Sequence, residues 1–580
     1  MQWLKYAFPT ILIFLLGCTP NAENVALQSA PSANILPTVA VPTATLPPPD
    51  LSFTNEVASS ETIVDTAVLE PTATPLPEPT ITPTPIVPNW SNPLDDSFPP
   101  QAELYGGEFV LVQPENTGIW QYAPRTFLHP IAVQTDGNHL FLLDGGRVLH
   151  LDQRQPVPPE VMLKPGDIVD GVVVQEPIDL AWTPGALLVL DRASDVYRYD
   201  FAQSTWTLER FNRPAGLSSS HYLMGLDANE NGRYLLDTNY RYIMEYQPGG
   251  AEVAFNLPKN SRAISMSAIG DDIFVLTQDI ESGKTEARRY NFFEESRYFR
   301  PKIELSQARQ ILATADAVYI LDMGGRRLLE LEHVNGRLQT LAQLPQDHPA
   351  SAMTINPKTG QLVLAAQERL YFLHDASRFA GINGGPMLQG PQPHDPVLLA
   401  NLQPKVVPIG GSGITSRDLQ LPGAPRHYRL GIHEGIDFYW QPGTQIRAVA
   451  DGTVIRANHD FVPSDWQVYD TLQAENEALT YTTEETLDLY RGRQVWIEHA
   501  DGTISRNIHL SVIYPEIVEG VTVTQGQLIG EVGNSGSPAS LESETEDAHL
   551  HYELWIDGHY LGQFLRPIEV RELVEQLFGR

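Results

Sequence analysis

The sequence predicts an all-β protein: a β-propeller of about six blades, followed by a compact β-sheet domain. A short apolar strand recurs along the middle of the chain, and most copies are followed by a second short strand such as VYRYD or LLELE. The last residues of successive copies lie 47, 46, 40, 45 and 44 positions apart. Short-strand repeats of about 40 to 50 residues are typical of propeller blades. The copies are HLFLLD (139–144), LLVLD (187–191), RYLLD (233–237), DIFVLT (272–277), AVYILD (317–322) and QLVLAA (361–366).

Six copies predict six blades within residues 100–400, with five or seven blades as alternatives. An unrelated pair of β-sandwiches is the other interpretation of the same strands. Because the repeats carry a core of their own, the propeller is expected to fold as an independent unit. The sequence leaves open whether the propeller recognises a protein or glycan ligand or serves as a scaffold.

A second domain is predicted at residues 405–580, where the chain changes to Gly-punctuated strands. Two segments in it resemble each other, PGTQIRAVADGTVIRA (442–457) and EGVTVTQGQLIGEVGNS (519–535). Each has a Gly turn, a short strand, a second Gly and a further strand. The pattern predicts a duplicated hairpin unit in an all-β domain.

The N-terminal region predicts export from the cytoplasm. Residues 1–18, MQWLKYAFPTILIFLLGC, combine one early lysine with an apolar run of signal-peptide length. The end of this run, LLGC, resembles the lipobox of bacterial lipoproteins, which implies that Cys18 is lipidated and becomes the mature N-terminus. Residues 19–99 are rich in Pro, Thr, Ala and Ser, which predicts a disordered tether. An uncleaved membrane anchor is the alternative, and both place the domains in the cell envelope, at the outer face of the cytoplasmic membrane.

The formal net charge of −33 restricts the partners. Because nucleic-acid phosphates repel such an acidic chain, we expect no nucleic-acid partner. The same charge disfavours electrostatic binding to anionic lipid or to anionic wall polymers. Membrane attachment is therefore expected through the lipid anchor.

The stretch EDAHLHYELW (546–555) predicts a metal site. His549 and His551 flank one leucine in a predicted strand, so their side chains should share a face. Upstream, His433 and Asp437 are four residues apart, and we expect them on one face of a strand as well. Catalytic zinc typically takes three N or O ligands and leaves one position for water, and His433, Asp437 and one histidine of the pair would supply that set. His509 adds a further imidazole, and eight of the sixteen histidines follow residue 426.

Five motifs in order resemble the lysostaphin-type zinc metallopeptidases, over roughly residues 410–570. They are His-x-Gly-x-Asp at 433–437, GTQIRAVADGTV, VWIEHADG with a later HL, VTQGQLIGEVGNSG, and HLHYEL. These enzymes are peptidoglycan endopeptidases of the duplicated hybrid motif fold. The resemblance implies that His433, Asp437 and His551 bind zinc and that His509 and His549 handle protons. It also implies that the substrate is a peptide of peptidoglycan, in a cross-link or a stem.

Other functions of the same fold stay open: a non-catalytic peptidoglycan-binding or amidase-activating protein, or a peptidase that acts on secreted proteins. The family usually has a tyrosine where this chain has Asn507. About 30 residues are inserted between Asp460 and Tyr490, with seven carboxylates and no Lys or Arg. We expect this insertion beside the metal, where its carboxylates would attract peptides with a free amino group; a plain solvent-exposed loop is the alternative. Glu434 and Glu553 are interpreted as structural.

Overall fold

The computed structural model describes residues 120–121, 127–152, 159–209, 221–381, 399 and 402–579, with short gaps at 128, 248–249, 292–293, 345–348, 359, 367–368, 376–377 and 557. The predicted signal peptide, Cys18 and the Pro/Thr-rich tether lie outside these residues. Within the described ranges, no helix combines the length and apolar character needed to cross a membrane.

Six antiparallel sheets form a propeller, and each sheet is made of strands that follow one another in the chain. Strand β1 (Trp120–Gln121) belongs to the last sheet. Blade 1 contains β2 (Ala132–Thr135), β3 (His139–Asp144), β4 (Arg147–Asp152) and β5 (Glu160–Leu163), and a small hairpin follows, β6 (Ile168–Val169) and β7 (Val172–Val173). Blade 2 contains β8 (Pro177–Thr183), β9 (Ala186–Asp191), β10 (Val196–Asp200) and β11 (Thr205–Glu209). Blade 3 contains β12 (Leu223–Ala228), β13 (Arg233–Asp237), β14 (Tyr242–Gln247) and β15 (Gly250–Asn256).

The remaining three blades repeat the pattern. Blade 4 contains β16 (Ser261–Ile269), β17 (Asp272–Asp279), β18 (Thr285–Asn291) and β19 (Glu294–Glu295). Blade 5 contains β20 (Gln310–Ala313), β21 (Ala317–Asp322), β22 (Arg327–Glu332) and β23 (Leu338–Gln343). Blade 6 contains β24 (Ala350–Ile355), β25 (Leu362–Ala366), β26 (Arg369–Asp375) and β27 (Arg378–Gly381), and β1 also pairs with β26.

The ring is closed, which confirms the predicted propeller and its six blades. The first strands of the blades, β2, β8, β12, β16, β20 and β24, each contact the next, and β24 contacts β2. The six recurring strands read from the sequence are the second strands of the blades, from β3 to β25. Strand β1 completes blade 6, with Trp120 opposite Leu370.

A ring of side chains joins the inner strands, whose backbone groups have no strand partner on the side that faces the next blade. At five of the six junctions, a side chain on the first, inner strand of one blade hydrogen-bonds a backbone group on the first strand of the neighbouring blade. At the sixth junction, two side chains of the ring bond each other. The six bonds are Gln134 Nε2 to Leu180 O (3.1 Å), Leu226 N to Asp179 Oδ2 (2.8 Å), Ala268 N to Asp227 Oδ2 (2.7 Å), Ala313 N to Ser267 Oγ (3.0 Å), Met353 N to Gln310 Oε1 (2.7 Å) and Thr354 Oγ1 to Gln134 Oε1 (3.4 Å).

The C-terminal domain is built on two antiparallel sheets, one of seven strands and one of three. Their inner faces pack Ile436, Ile446, Leu550 and Tyr552 into one core. The larger sheet has the order β30-β38-β34-β33-β32-β36, with β39 beside β38, and the smaller has the order β31-β37-β35, while β28 and β29 form a separate two-stranded sheet. The strands are β28 (Pro425–Arg426), β29 (Gly431–Ile432), β30 (Gly435–Tyr439), β31 (Gln445–Arg447), β32 (Gly452–Ala457), β33 (Val495–His499), β34 (Thr503–Ile508), β35 (Leu510–Ile513), β36 (Thr522–Val523), β37 (Leu528–Val532), β38 (His549–Ile556) and β39 (His559–Tyr560).

The two similar sequence segments pair with each other. The first supplies β31 and β32, and the second supplies β36 and β37. Strand β31 pairs with β37 in the small sheet, while β32 pairs with β36 in the large sheet. Each copy therefore contributes one strand to each sheet.

The insertion between Asp460 and Tyr490 forms two helices, α1 (Trp466–Leu479) and α2 (Glu484–Arg491). Asp465 begins α1 by accepting a hydrogen bond from Val468 N, and Thr483 begins α2 by accepting one from Thr486 N. A third helix, α3 (Pro567–Leu577), follows the last strand.

Candidate metal centre

Three buried side chains bring their donor atoms together. His433 Nε2 lies 2.9 Å from Asp437 Oδ1 and 3.0 Å from His551 Nδ1, and His551 Nδ1 lies 2.9 Å from Asp437 Oδ1. These three residues, which we call the donor triad, are 2%, 6% and 9% exposed. They form the one group of three or more metal-ligating side chains found among the described residues.

The fold brings the triad together by two different routes. Asp437 on β30 and His551 on β38 are direct partners across the ladder, so their side chains share a face. His433 lies in a break between β29 and β30, and not in a strand as the sequence had suggested. Residues four apart in a regular strand are about 13 Å apart, so only this break allows His433 to reach Asp437.

Each ligand is held by a second partner on its far side. His433 Nδ1 donates to Leu421 O (2.9 Å), which leaves Nε2 free to bind a metal. His551 Nε2 donates to Glu553 Oε1 (3.2 Å), which leaves Nδ1 free. Arg426 Nη2 donates to Asp437 Oδ2 (3.0 Å), so Oδ1 is the oxygen that faces the histidines. Such outer bonds fix ring orientation and tautomer in metal sites.

Glu553 is a member of the site that sequence reasoning missed. Besides His551, its carboxylate accepts hydrogen bonds from Arg491 Nε (2.9 Å), Arg506 Nη1 (3.2 Å) and Trp555 Nε1 (2.6 Å). Its position two residues after His551 on the same strand face was the available signal. Arg491, the last residue of α2, directly follows the insertion and links its second helix to the metal centre.

His509 and His549, which we call the histidine pair, lie next to the triad. Their ring centroids are 5.0 Å apart, and the His509 ring lies 5.7 Å from that of His551. His509 Nδ1 donates to Ser535 O (2.8 Å) and His549 Nδ1 donates to Asp547 O (2.6 Å), so both rings keep Nε2 free. His549 Nε2 lies 3.9 Å from Asp437 Oδ1.

His509 occupies the point where the chain passes from the large sheet to the small one. It follows β34 and precedes β35, with a φ of +65° that non-glycine residues rarely adopt. Its backbone N–H donates to Arg491 O (3.1 Å). A strained residue at a sheet junction is typical of functional sites, because the surrounding structure has to enforce it.

Burial lowers the pKa of two imidazoles of the site, His433 and His509, whereas for His551 the bonds to Asp437 and Glu553 outweigh burial and raise the pKa. Burial, followed by the nearby Arg426 charge, lowers the pKa of His433 to about 3. Burial and the neighbouring rings of His549 and His551 hold the pKa of His509 well below its usual range. For Asp437, burial opposes ionisation, but the bonds and charges of His433, His551 and His549 outweigh it and hold the pKa well below normal. Neutral imidazoles beside an ionised carboxylate are the protonation states that metal binding needs.

The site opens into a cavity of about 550 Å³. Leu487 and Tyr490 of the insertion, with Arg491 directly after it, form part of its wall. None of the insertion's seven carboxylates, all of which the structure describes, lines the cavity. Glu484 instead bonds Arg491 Nη1 (2.5 Å) and Asp488 bonds Arg456. The insertion lies beside the metal centre as expected, its carboxylates lie outside the residues that line the cavity, and their attraction for peptides with a free amino group stays a prediction.

The donor set fits a divalent transition metal. Two imidazole nitrogens and one carboxylate oxygen match the three-ligand pattern of catalytic sites, with the cavity on the open side. In a tetrahedral site the donors would lie about 3.3 Å apart. The observed separations of 2.9–3.0 Å are within a few tenths of an ångström of that value.

Three solved structures that are similar to this chain each cover less than half of it. A gluconolactonase from Xanthomonas campestris is 12% identical, over 43% of this chain and 86% of that one, with a TM-score of 0.33. YCF48 bound to D1 peptide is 15% identical, over 42% and 77%, with a TM-score of 0.29. A chain of a nidogen/laminin complex is 14% identical, over 42% and 97%, with a TM-score of 0.30.

No curated protein matches the chain. The model of peptidase family M23 matches residues 431–562, a range that contains the donor triad, the histidine pair and the insertion. This match confirms the resemblance to the lysostaphin-type enzymes. The C-terminal part of the chain is a metallopeptidase domain of family M23, carried behind a β-propeller.

Proposed function

We propose that the protein is a zinc metalloendopeptidase that hydrolyses peptide bonds of peptidoglycan, in cross-links or stem peptides. The observation that carries the proposal is the convergence of the donor triad and the histidine pair at the floor of one open cavity. Non-catalytic proteins of this fold typically lose metal ligands, and this chain keeps all three.

The donor triad would hold zinc through His433 Nε2, Asp437 Oδ1 and His551 Nδ1. Bound zinc supplies Lewis acidity, which polarises a peptide carbonyl and lowers the pKa of water toward ~7. Arg426 orients Asp437, and Glu553 orients His551, each through a hydrogen bond to the atom that does not face the metal position. The ligand positions are thus set by hydrogen bonds before substrate arrives.

The histidine pair would move protons. His509 is neutral, and its Nε2 is the basic atom because Nδ1 donates to Ser535 O. A neutral imidazole can take a proton from the attacking water, and an imidazolium can stabilise the oxyanion or protonate the leaving amine. Tyr439 stacks on His549, with centroids 4.7 Å apart, and so restricts the orientation of that ring.

Features of the sequence support the proposed substrate class and location. The motif resemblance implies peptidoglycan peptides, and the lipobox-like LLGC at 15–18 supports a lipid anchor at Cys18, at the outer face of the cytoplasmic membrane. An enzyme tethered there faces the cell wall. A peptidase acting on secreted proteins is the alternative that shares the same site.

The test is digestion of purified peptidoglycan by the zinc-loaded protein, with mass spectrometry of the released muropeptides. We expect new amino and carboxyl termini at one type of peptide bond. The His551→Ala variant should release nothing, and an unfolded secreted protein serves as the competing substrate. If the unfolded protein were cleaved and the peptidoglycan were left intact, the result would contradict the proposal.

A further inference from the structure

One face of the propeller is covered by the C-terminal domain, through buried groups. Arg566, which is 9% exposed, donates to Ile131 O, next to the inner strand of blade 1. Ile568 in the first turn of α3 belongs to the hydrophobic cluster of blades 4 and 5. Glu569 Oε1 lies 2.7 Å from His129 Nε2. The two domains therefore share part of a core.

A buried ion pair lies at the centre of this contact. Arg192, in the turn after β9, is fully buried, and its Nε lies 2.6 Å from Glu176 Oε1. The guanidinium also donates to Gly423 O (3.0 Å) and to Leu565 O, both in the C-terminal domain. Glu176 Oε2 in turn accepts a hydrogen bond from Tyr560 Oη (2.5 Å). Arg192 and Glu176 compensate each other's charge within the propeller, and the C-terminal domain satisfies further hydrogen-bonding groups of both side chains.

The segment that Arg192 holds is the one that supports His433. Gly423 N donates to His433 O (2.7 Å), and His433 N donates to Ala424 O (2.7 Å). His433 Nδ1 donates to Leu421 O. Segment 421–424 therefore fixes both the backbone and the ring of this metal ligand, and Arg192 fixes the segment.

Gly423 shows how closely the two parts are fitted. Its φ is +85°, and a Cβ at this position would collide with the Arg192 guanidinium. Only glycine meets both conditions without strain. The close approach of the backbone to the guanidinium thus depends on both residues, glycine at 423 and arginine at 192.

The propeller also contacts a segment that lines the cavity and the connection between the two insertion helices. His427, which lines the cavity, bonds His221 O through Nε2 (3.1 Å). Val173 N donates to Thr480 Oγ1 (3.0 Å) in the connection between the two helices.

We infer that the propeller is a structural part of the metallopeptidase, and that Arg192 is a positioning residue for the metal ligand His433. The chain of contacts runs from Arg192 through Gly423 to His433, without a residue of the cavity between them. The inference rests on the proposed function only for the identity of the metal, zinc. It makes the covered face of the propeller a seat for this chain's own peptidase domain.

The test is a comparison of two double variants of the full-length protein. Arg192→Met with Glu176→Gln removes both charges together, so that neither stays buried alone. Arg233→Met with Glu209→Gln is the matched control, because that pair (2.6 Å) joins blades 2 and 3 within the propeller. Zinc affinity is measured by competition with a chromogenic chelator, alongside circular dichroism and thermal unfolding.

We expect the Arg192/Glu176 variant to bind zinc about tenfold more weakly, as when an outer partner of a metal ligand is lost, with its β-type spectrum retained. The control should keep its zinc affinity within about twofold. Equal zinc affinities in the two variants would overturn the inference. If the Arg192/Glu176 variant does not fold, the Arg192→Lys variant is used in its place. Lysine keeps the positive charge beside Glu176 but cannot donate to all the acceptors that the guanidinium bonds. Wild-type zinc affinity in this variant would overturn the inference. The zinc titration needs no substrate. If the protein failed to digest peptidoglycan, that result would therefore refute only the proposed substrate and would leave the role of Arg192 untouched.

Discussion

Replacing Glu553 with glutamine should loosen the metal centre without changing the size of the side chain. The two carboxylate oxygens accept from His551, Arg491, Arg506 and Trp555, two donors to each oxygen. A glutamine has one acceptor oxygen and one NH2 group. Whichever way it turns, two N–H donors meet an amide NH2, and at least one of them is a guanidinium.

The magnitude follows from these lost bonds. A buried donor left without an acceptor costs about 1–3 kcal/mol, and more when it is charged. With two donors affected, we expect the free energy of unfolding to fall by about 3–5 kcal/mol. If the Gln Nε2 faces His551, the ring loses its orienting partner, and zinc affinity should fall about 10- to 100-fold.

The assay is chelator competition for zinc, with thermal unfolding measured in parallel. Glu434→Gln is the matched control, because Glu434 accepts from the same Arg491 through Nη2 (2.6 Å) but contacts no metal ligand. That variant can keep its bond through Oε1, and its zinc affinity should stay within about threefold of wild type. If both glutamine variants bind zinc equally well, Glu553 does not position His551.

Four further predictions address the site, the domain and the anchor. Alanine at any member of the donor triad should abolish stoichiometric zinc binding and activity; one zinc per chain in His551→Ala would show that His551 and His549 are assigned the wrong way round. Alanine at either member of the histidine pair should lower turnover by ~10²-fold or more with zinc still bound, and normal turnover in His509→Ala would remove it from the mechanism. Burial opposes ionisation of Asp501, but its bonds to Lys405 and Thr503 lower the pKa to about 2. This carboxylate therefore stabilises the fold by about 2 kcal/mol above pH ~4 and loses that contribution as the pH falls to ~2. Asp501→Asn should remove this pH-dependent part of the free energy of unfolding, and an unchanged dependence of stability on pH would contradict the prediction. Cys18→Ser should leave an unlipidated precursor of altered size, whereas unchanged mass and membrane fractionation would refute lipidation.

The sequence predicted the parts of the structure that depend on local pattern. The second strand of each blade could be read from its apolar run and the turn before it, because a strand buried on both faces needs no partner information. The His549/His551 pair could be placed on one face because alternation along a strand is strict. The prediction that each of the two similar segments forms a hairpin is wrong: the two strands of each segment enter different sheets and pair with strands of the other segment, a pairing that neither copy shows by itself.

The remaining features depend on contacts between distant residues. His433 and Asp437 converge because the chain breaks before β30, and no local pattern marks that break. Glu553 acquires its role from Arg491, which lies 62 positions earlier in the chain. The contact between Arg192 and Gly423 joins residues 231 positions apart, so no local sequence pattern gives a sign of it.

The closure of blade 6 by β1 sets an order of events in folding. Trp120 pairs with Leu370, 250 positions later, so blade 6 is complete only after almost the whole propeller has been made. Blades built from neighbouring strands can form early, whereas a pairing this distant bears the entropy of closing a very long loop. The pairing of β1 with blade 6 therefore forms late. We expect the folding chain to pass through a stage in which the blades made of neighbouring strands are formed and blade 6 still lacks β1.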